Sequence, residues 1–439
     1  MSSPHASQRS LHDARGLPRV VVTGMGVLSC LGHGKTALLD ALRSGRSGLR
    51  AIDGFAQLQM RSRIGGALDM DALTPPPRKL QRFLPAPAIQ AWHAANEAIT
   101  QAGLTDEQLR GERCGLLLGG GAALSEHEQA LADHRRRGIA KLSPFLVPRG
   151  MSSSISAGLA HAYRIGGVSY TVSAACTSAA LAIGQALETI QLGKQDIILA
   201  GGSEELHPST AMWFDAMGAL SSLGHDDPQR AARPYAPDRD GLVLAAGAGV
   251  LVLESLASAQ ARGATVLAEL SGYGCATDAA SMVGPGSEGI ARAMRQALSG
   301  SKAAPDYINT HACATPQGDL AEWQAIVQVF AERGEAVPPL SSIKGQCGHA
   351  PGAAGALDAI ASLLMLEHGF IAGIGGGAID SAFADAPLVT TPRALRIERV
   401  LSNSFGFGGS CASLLFQRYA DADTRARPPA APITRASTP

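Results

Sequence analysis

The stretch that most constrains this chain runs from Gly166 to Gly202. Residues 168–172 are a short β-type run, and small residues then lead to one cysteine, Cys176. After it, Ala180, Leu181, Ile183, Leu187 and Ile190 recur at three- and four-residue spacing, the period of a helix with one apolar face. Gly193 stands where a helix C-terminal glycine belongs, and residues 197–202 form a second apolar run. Strand, tight turn, helix and strand in such short compass read as a parallel crossover, which commits the chain to an α/β architecture. Cys176 then lies at a helix start, where unpaired N–H groups and the helix dipole favour a thiolate. A small buried residue and a nucleophile are both open readings of it at this point.

A chain of 439 residues implies two core units or one large duplicated one. Hydrophobic residues at 46% supply the core, while 51 glycines and only 4% aromatics suit an α/β enzyme with many tight turns. The formal net charge is zero, so nothing global points to nucleic acid or an anionic membrane. The seven cysteines are scattered, with no zinc-type Cys/His spacing, and an odd, dispersed set fits a reducing compartment, the cytoplasm. No run of about 18 apolar residues is present, so no spanning helix and no membrane insertion are expected.

Folded structure is expected from Arg19. Residues 20–26 read as a buried strand entering a glycine turn, and residues 264–274 repeat that pattern. The third glycine of a dinucleotide fingerprint is missing after Gly24 and Gly26, which speaks against a nucleotide site. Helices are expected over 35–44, 86–102, 151–163, 289–298, 320–330 and 353–366. Strands are expected over 114–121, 242–254, 307–309, 388–391, 399–402 and 412–416. The recurring order of elements suggests two related halves, 19–262 and 263–418. They are flanked by a flexible start, 1–18, and a disordered Ala/Pro/Arg/Thr tail, 419–439.

Three segments of the second half carry chemistry. Asn309-Thr-His311 ends a strand in a polar turn that reaches Thr315, Pro316 and Asp319. Lys344 precedes Gly348-His349, which opens onto a small-residue helix. Asn403-Ser-Phe405-Gly-Phe407-Gly-Gly409 is a glycine-rich turn. Each alone has a structural reading. One thiol and two loop histidines beside glycine turns at strand ends are together the parts of a nucleophilic site with polarising donors.

These motifs, in this order, resemble those of the β-ketoacyl-acyl carrier protein synthases, most of all the bacterial type I branch. The matching residues are Ser173-Ala-Ala-Cys176-Thr-Ser-Ala, Asn309-Thr-His311 with Thr315-Pro316 and Asp319, Lys344 with Gly348-His349, and residues 403–409. Residues 191–196, 214–220, 238–241 and 363–371 extend the likeness over about 19–418. The resemblance implies a thiolase-like α-β-α-β-α sandwich of two similar halves. It implies a homodimer, with a heterodimer of related subunits as the other pairing, and acyl carrier protein as partner. No cofactor or metal is implied, because substrates ride on the carrier's phosphopantetheine. Cys176 would hold the acyl chain, and His311 and His349 would stabilise the enolate formed from malonyl-carrier protein. Lys344 would orient the site, supported by Glu322, and Asp319 and Phe405 would be further supporting residues. The N–H groups of Cys176 and Phe407 would form the oxyanion hole, Phe407 also acting as a gate. Thr315 and Cys313 would meet the pantetheine arm, and Lys79, Arg82, Arg137 and Lys141 the acidic carrier protein.

The chain departs from the family at Ala312, Cys313 and Cys347, and the segment 372–380 replaces a Pro- and Asn-bearing stretch. A thiol at 313 is a poorer hydrogen-bonding group than the hydroxyl expected there. The expected activity is decarboxylative condensation in fatty acid biosynthesis. A ketosynthase of a polyketide or aryl polyene pathway is the alternative. A non-catalytic chain-length partner is disfavoured by the intact cysteine and histidines. A thiolase is disfavoured because Cys411 follows the wrong turn.

Overall fold

The computed structural model describes residues 11–284, 286–375 and 377–419; the expectations for 1–10 and 420–439 lie outside them. Ten strands form the main sheet path. In chain order they are β1 (Val20–Ser29), β2 (Cys114–Gly119), β3 (Ser169–Val172), β4 (Ile197–Glu204), β5 (Gly247–Ser255), β6 (Ala268–Thr277), β7 (Tyr307–Asn309), β8 (Leu340–Ser341), β9 (Arg399–Gly406) and β10 (Ser410–Gln417). The first five run β1-β5-β4-β2-β3, with β2 parallel to β3 and β4, and β5 antiparallel to both its neighbours. The second five run β6-β10-β9-β7-β8 with the same parallel and antiparallel pairings. Adding five to each label of the first half gives the second, so the fold is one topology used twice. The halves join where Val20–Val22 of β1 pairs antiparallel with Ala268–Leu270 of β6.

Helices complete five layers. They are α1 (Gly34–Ser44), α2 (Ala86–Ala102), α3 (Leu124–Arg137), α4 (Ser154–Tyr163), α5 (Ser178–Gln191), α6 (Pro208–Met217), α7 (Ser287–Leu298), α8 (Pro316–Arg333) and α9 (Ala354–His368). α2 covers the outer face of the first half, and α7 and α8 cover that of the second. α5 and α9 pack against each other and against strands of both halves, forming the middle layer. A helix between two sheets has no solvent face, and every residue of α9 from Ala354 to Leu366 is buried. Such a helix can carry a charge only if a partner answers it.

Three expectations are corrected. Gly24 and Gly26 are not a turn; β1 continues to Ser29. A Cβ at these positions would meet Ala98 O at 2.2 Å and Ala94 O at 2.0 Å, so they let α2 lie directly on the strand. Gly272 and Gly274 of β6 do the same under α7, against Ala297 O at 2.1 Å and Ala293 O at 1.9 Å. The close approach is thus repeated with the topology. Residues 388–391 form no strand either: Leu388 makes one bridge to Leu340, because the chain leaves the sheet at once. Residues 11–18 fold back, with Leu11 packed beside Val21 and Leu256 and its carbonyl accepting from Arg19 N.

Candidate active site

Cys176 sits at the tip of the turn between β3 and α5. The preceding Ala175 has φ +49°, a left-handed backbone that costs a non-glycine residue about 1–2 kcal/mol. The surroundings hold it there. Ser178 Oγ accepts from Ala174 N and donates to Ala175 O, while Thr177 Oγ1 donates to Ser410 Oγ of β10 at 2.8 Å. The turn from β9 to β10 closes over the thiol; a Cβ on Gly406 would come within 3.0 Å of Cys176 N.

The two histidine loops leave the ends of β7 and β8 and meet the thiol. His349 Nε2 lies 3.0 Å from Cys176 Sγ. The His311 ring stands edge-on to His349, centroids 5.2 Å apart at 88°, and 5.7 Å from the Phe405 ring. A cavity of about 430 Å³ opens on this cluster, lined among others by Cys313, Thr315, Asp319, Glu322 and Phe407. The ring of Phe407 stacks on Phe214 of α6 at 5.9 Å and 22°. Lys344 lies behind the cluster, 2% exposed, with Nζ 2.6 Å from Asp358 Oδ2 on α9.

Glu322, the support for Lys344 that the resemblance implied, reaches it through charge and not through a hydrogen bond. Its two oxygens accept from His311 N at 3.0 Å and Ala312 N at 2.9 Å, and Asn403 Nδ2 donates to Oε1 at 3.0 Å. Glu322 therefore shapes the His311 turn, and Asp358 is the partner of Lys344. Asp358 was missed in the sequence, where its signal is a lone carboxylate inside the all-apolar run of α9. Phe214 was missed as well, since nothing local marks a residue that stacks across two loops.

Burial dominates the electrostatics. It pushes the Cys176 thiol up from 9.0 to about 12, with Cys313 and Glu204 adding to the rise and Lys344 opposing it. A helix N-terminus contributes about 0.3–1 kcal/mol, whereas a rise of three pKa units corresponds to about 4 kcal/mol, so the expectation of a resting thiolate fails. Burial, reinforced by Lys344, lowers His349 to about 3 and His311 well below 6.5. Both imidazoles are neutral at physiological pH. For Lys344 burial opposes the charge, but Asp358 outweighs it and leaves the pKa raised.

The basic residues stand apart from the cavity. Lys79, Arg82, Arg137 and Lys141 are all exposed. Arg137 pairs with Asp133 at 2.7 Å, and the Arg82 guanidinium lies 5.7 Å from the Phe83 and Phe145 ring centres. Arg149 ties the two basic segments together by donating to Gln81 O at 3.0 Å and pairing with Glu126 of α3.

Residues 18–259 match the model of the N-terminal domain of beta-ketoacyl synthases, and residues 267–375 match the model of the C-terminal domain. The chain belongs to the β-ketoacyl synthase family. This β-ketoacyl synthase is 43% identical over 405 residues to the 3-oxoacyl-[acyl-carrier-protein] synthase 1 of Haemophilus influenzae, spanning 91% of this chain and 99% of that one. A crystal structure of a beta-ketoacyl synthase from Burkholderia phymatum superposes with TM-score 0.85 at 34% identity, over 92% of this chain and 100% of that one. A type II polyketide ketosynthase solved with its acyl-carrier protein superposes with TM-score 0.83 at 28% identity, over 92% and 100%. The synthase is a condensing acyltransferase with a thiolase-like fold. Among the described residues no helix is long and apolar enough to cross a membrane.

Proposed function

We propose that this synthase joins an acyl chain held on Cys176 to malonyl-acyl carrier protein, releasing CO2 and 3-oxoacyl-acyl carrier protein, in fatty acid biosynthesis. The observation that carries the residue roles is the 3.0 Å approach of His349 Nε2 to Cys176 Sγ beside a second neutral histidine. In the first half-reaction Cys176 Sγ attacks the acyl thioester while its proton passes to His349 Nε2. The tetrahedral oxygen is held by the N–H groups of Cys176 and Phe407, each such donor being worth about 10²–10³ in rate. Collapse expels the carrier thiolate, which takes the proton from His349. Cys176 is left as the thioester and His349 is neutral again.

Malonyl-carrier protein then enters with its pantetheine arm along Cys313 and Thr315. Between the half-reactions His349, left with its proton on Nδ1, exchanges with solvent to its Nε2–H tautomer, and neutral His311 and His349 then donate to the thioester oxygen while the C–C bond to the carboxylate breaks. The electron pair becomes an enolate as CO2 leaves. The enolate carbon attacks the Cys176 thioester, and the Cys176 thiolate that departs takes a proton from solvent. Burial, reinforced by Lys344, keeps both imidazoles from protonating, so they remain donors that carry no charge into the ground state. Side chains and two backbone N–H groups carry the chemistry, with no resident cofactor.

Docking of the acidic carrier to Lys79, Arg82, Arg137 and Lys141 fits their exposure and the seam that Arg149 makes between their segments. Pairing of two copies fits the free edge of β3, where Val168 and Tyr170 are exposed. Seven free cysteines suit the cytoplasm. The test is to mix purified protein with several acyl-carrier proteins and malonyl-carrier protein and to weigh products by mass spectrometry. The expected result is a 3-oxoacyl product and an acyl adduct on Cys176. Absence of both, or condensation by Cys176→Ala, overturns the assignment. Product only with aryl or polyene starters would move the enzyme to a specialised pathway, the reading that Ala312, Cys313 and Cys347 favour.

A further inference from the structure

The turn carrying His311 is held from beneath by groups the condensation itself does not use. Asp319 Oδ1 accepts from Cys313 N at 3.2 Å, and its Oδ2 accepts from Tyr235 N at 3.0 Å. Gly241 N donates to Ala314 O at 3.1 Å, and Ala314 stands at φ +72°, a left-handed conformation that alanine keeps only under constraint. Asp319 and Glu322 lie one turn apart on α8, both buried, so two carboxylates share one low-dielectric wall.

Arg239 lies against this wall. Its side chain is 7% exposed, and Nε lies 3.9 Å from Asp319 Oδ2. Nη1 donates to Asp380 Oδ2 at 2.6 Å and Ala236 O at 2.8 Å, and Nη2 donates to Pro316 O at 3.2 Å. The guanidinium sits 4.9 Å from the Phe383 ring centre. Phe383 meets Tyr235 edge-on at 5.1 Å, and Tyr235 donates to Thr310 Oγ1, the residue before His311, at 2.7 Å. Asp380 ends the 372–380 segment, so the unusual glycine loop and the His311 turn meet at one arginine.

We propose that Arg239 is a positioning residue for the malonyl step: by clamping Asp319, Pro316 and Asp380 together, it fixes the turn that presents His311, Cys313 and Thr315 to the malonyl arm. The proposal rests on the assignment of His311 to decarboxylation. Charge supports the geometry. Burial pushes Asp319 up to about 6, and Arg239 is the cation that pulls against it. The other ionisable groups around Asp319 are Glu322 on the same helix, Asp380 beyond Arg239, Tyr235 and Cys313 on the flanking turns, and Lys344 across the site.

Arg239→Gln, Arg239→Lys and His311→Ala are compared with the parent in Cys176 acylation, malonyl-carrier decarboxylation and the pH profile of decarboxylation. Arg239→Gln is expected to acylate within about twofold of the parent while its KM for malonyl-carrier protein rises about tenfold, the scale of a sub-ångström misplacement. Its acid limb is expected to move up by about one pH unit, because Asp319 without its cation takes a proton sooner. Arg239→Lys should restore the limb but not the KM, since an ammonium keeps the charge and cannot reach three acceptors in a fork. Equal losses in both half-reactions, or an acid limb that Arg239→Gln leaves in place, overturn the proposal. Should Arg239→Gln not fold, Asp380→Asn decides. A raised malonyl KM with unchanged acylation supports the clamp, and an unchanged KM overturns it. If His311→Ala still decarboxylates, the His311 assignment falls and takes the clamp with it; if His311→Ala is inactive and the Arg239 variants behave as the parent, only the clamp falls.

Discussion

The buried pair of Lys344 and Asp358 sets the charge of the site, and removing one partner tests that reading most directly. The two side chains are 2% and 1% exposed, with Nζ 2.6 Å from Oδ2. Asp358→Asn preserves shape and removes one charge. An ammonium left in the core without its carboxylate costs about 3–5 kcal/mol. That is a large share of the roughly 5–15 kcal/mol by which a protein is stable. In the parent, Lys344 is raised above 10.5, so the lysine's contribution is complete below that value and is lost only as pH rises through the higher, folded one, whereas burial raises Asp358, whose charge costs stability above its ordinary range. In the variant only burial acts, and Lys344 drops below 10.5. Its penalty therefore eases as pH climbs, because the lysine can shed its proton. Urea midpoints at constant slope, taken at several pH values between neutral and alkaline, should show a gap between parent and variant that narrows upward. Lys344→Met with Asp358→Asn removes both charges and should cost far less than the sum of those two single changes, giving a coupling of about 1–3 kcal/mol or more. A loss under about 1 kcal/mol for Asp358→Asn, or additivity in the cycle, would refute the argument, since buried unpaired charge carries all of it.

Three further outcomes follow from the same geometry. Because burial lifts Cys176 to about 12, its alkylation by iodoacetamide in the unacylated enzyme should be slow at neutral pH and still rising above pH 9; a rate that levels off below pH 8 contradicts a protonated thiol. Glu204, which accepts from Gly352 N at 2.8 Å, is raised by burial from 4.5 to about 7, so folding takes up a proton and stability falls by about 3 kcal/mol as pH rises between these values. Glu204→Gln keeps the acceptor and should lack that share of the slope, read as urea midpoints at pH 5 and 8; a variant with the parent's slope rules this out. Cys313→Thr restores a hydroxyl beside the cavity and should lower the KM for malonyl-carrier protein by about fivefold, the value of one hydrogen bond of about 1 kcal/mol. An unchanged or higher KM would show that the pantetheine arm does not use this position.

Cys176 and His311 were legible because each is a lone reactive residue at the end of a strand the hydrophobic pattern already marks, and Lys344 and His349 because they stand among the small residues and glycines that open the helix after them. Their partners were not. Glu322 looked like a support for Lys344, but a spacing along α8 does not say whether a carboxylate faces a lysine or the amides of its own preceding turn. Asp358 announced only that an apolar helix carries a charge it must answer; what answers it arrives from another loop. The thiolate expectation failed for a related reason. A helix start can be read along the chain, whereas desolvation comes from α9, β9 and both histidine loops closing over it. Gly24 and Gly26 were noticed and given the wrong task, because a turn and a close helix approach ask for the same missing side chain.

The repeated topology bears on how two unlike groups come to face each other. Cys176 precedes α5 after the third strand of the first half, and His349 precedes α9 after the third strand of the second. They are counterparts, and they meet 3.0 Å apart near the seam that relates the halves. Two identical subunits around a twofold axis could only set thiol against thiol there, or imidazole against imidazole. Covalent linkage of the two copies in one polypeptide lifts that restriction, so each side of the axis is free to carry its own reactive group.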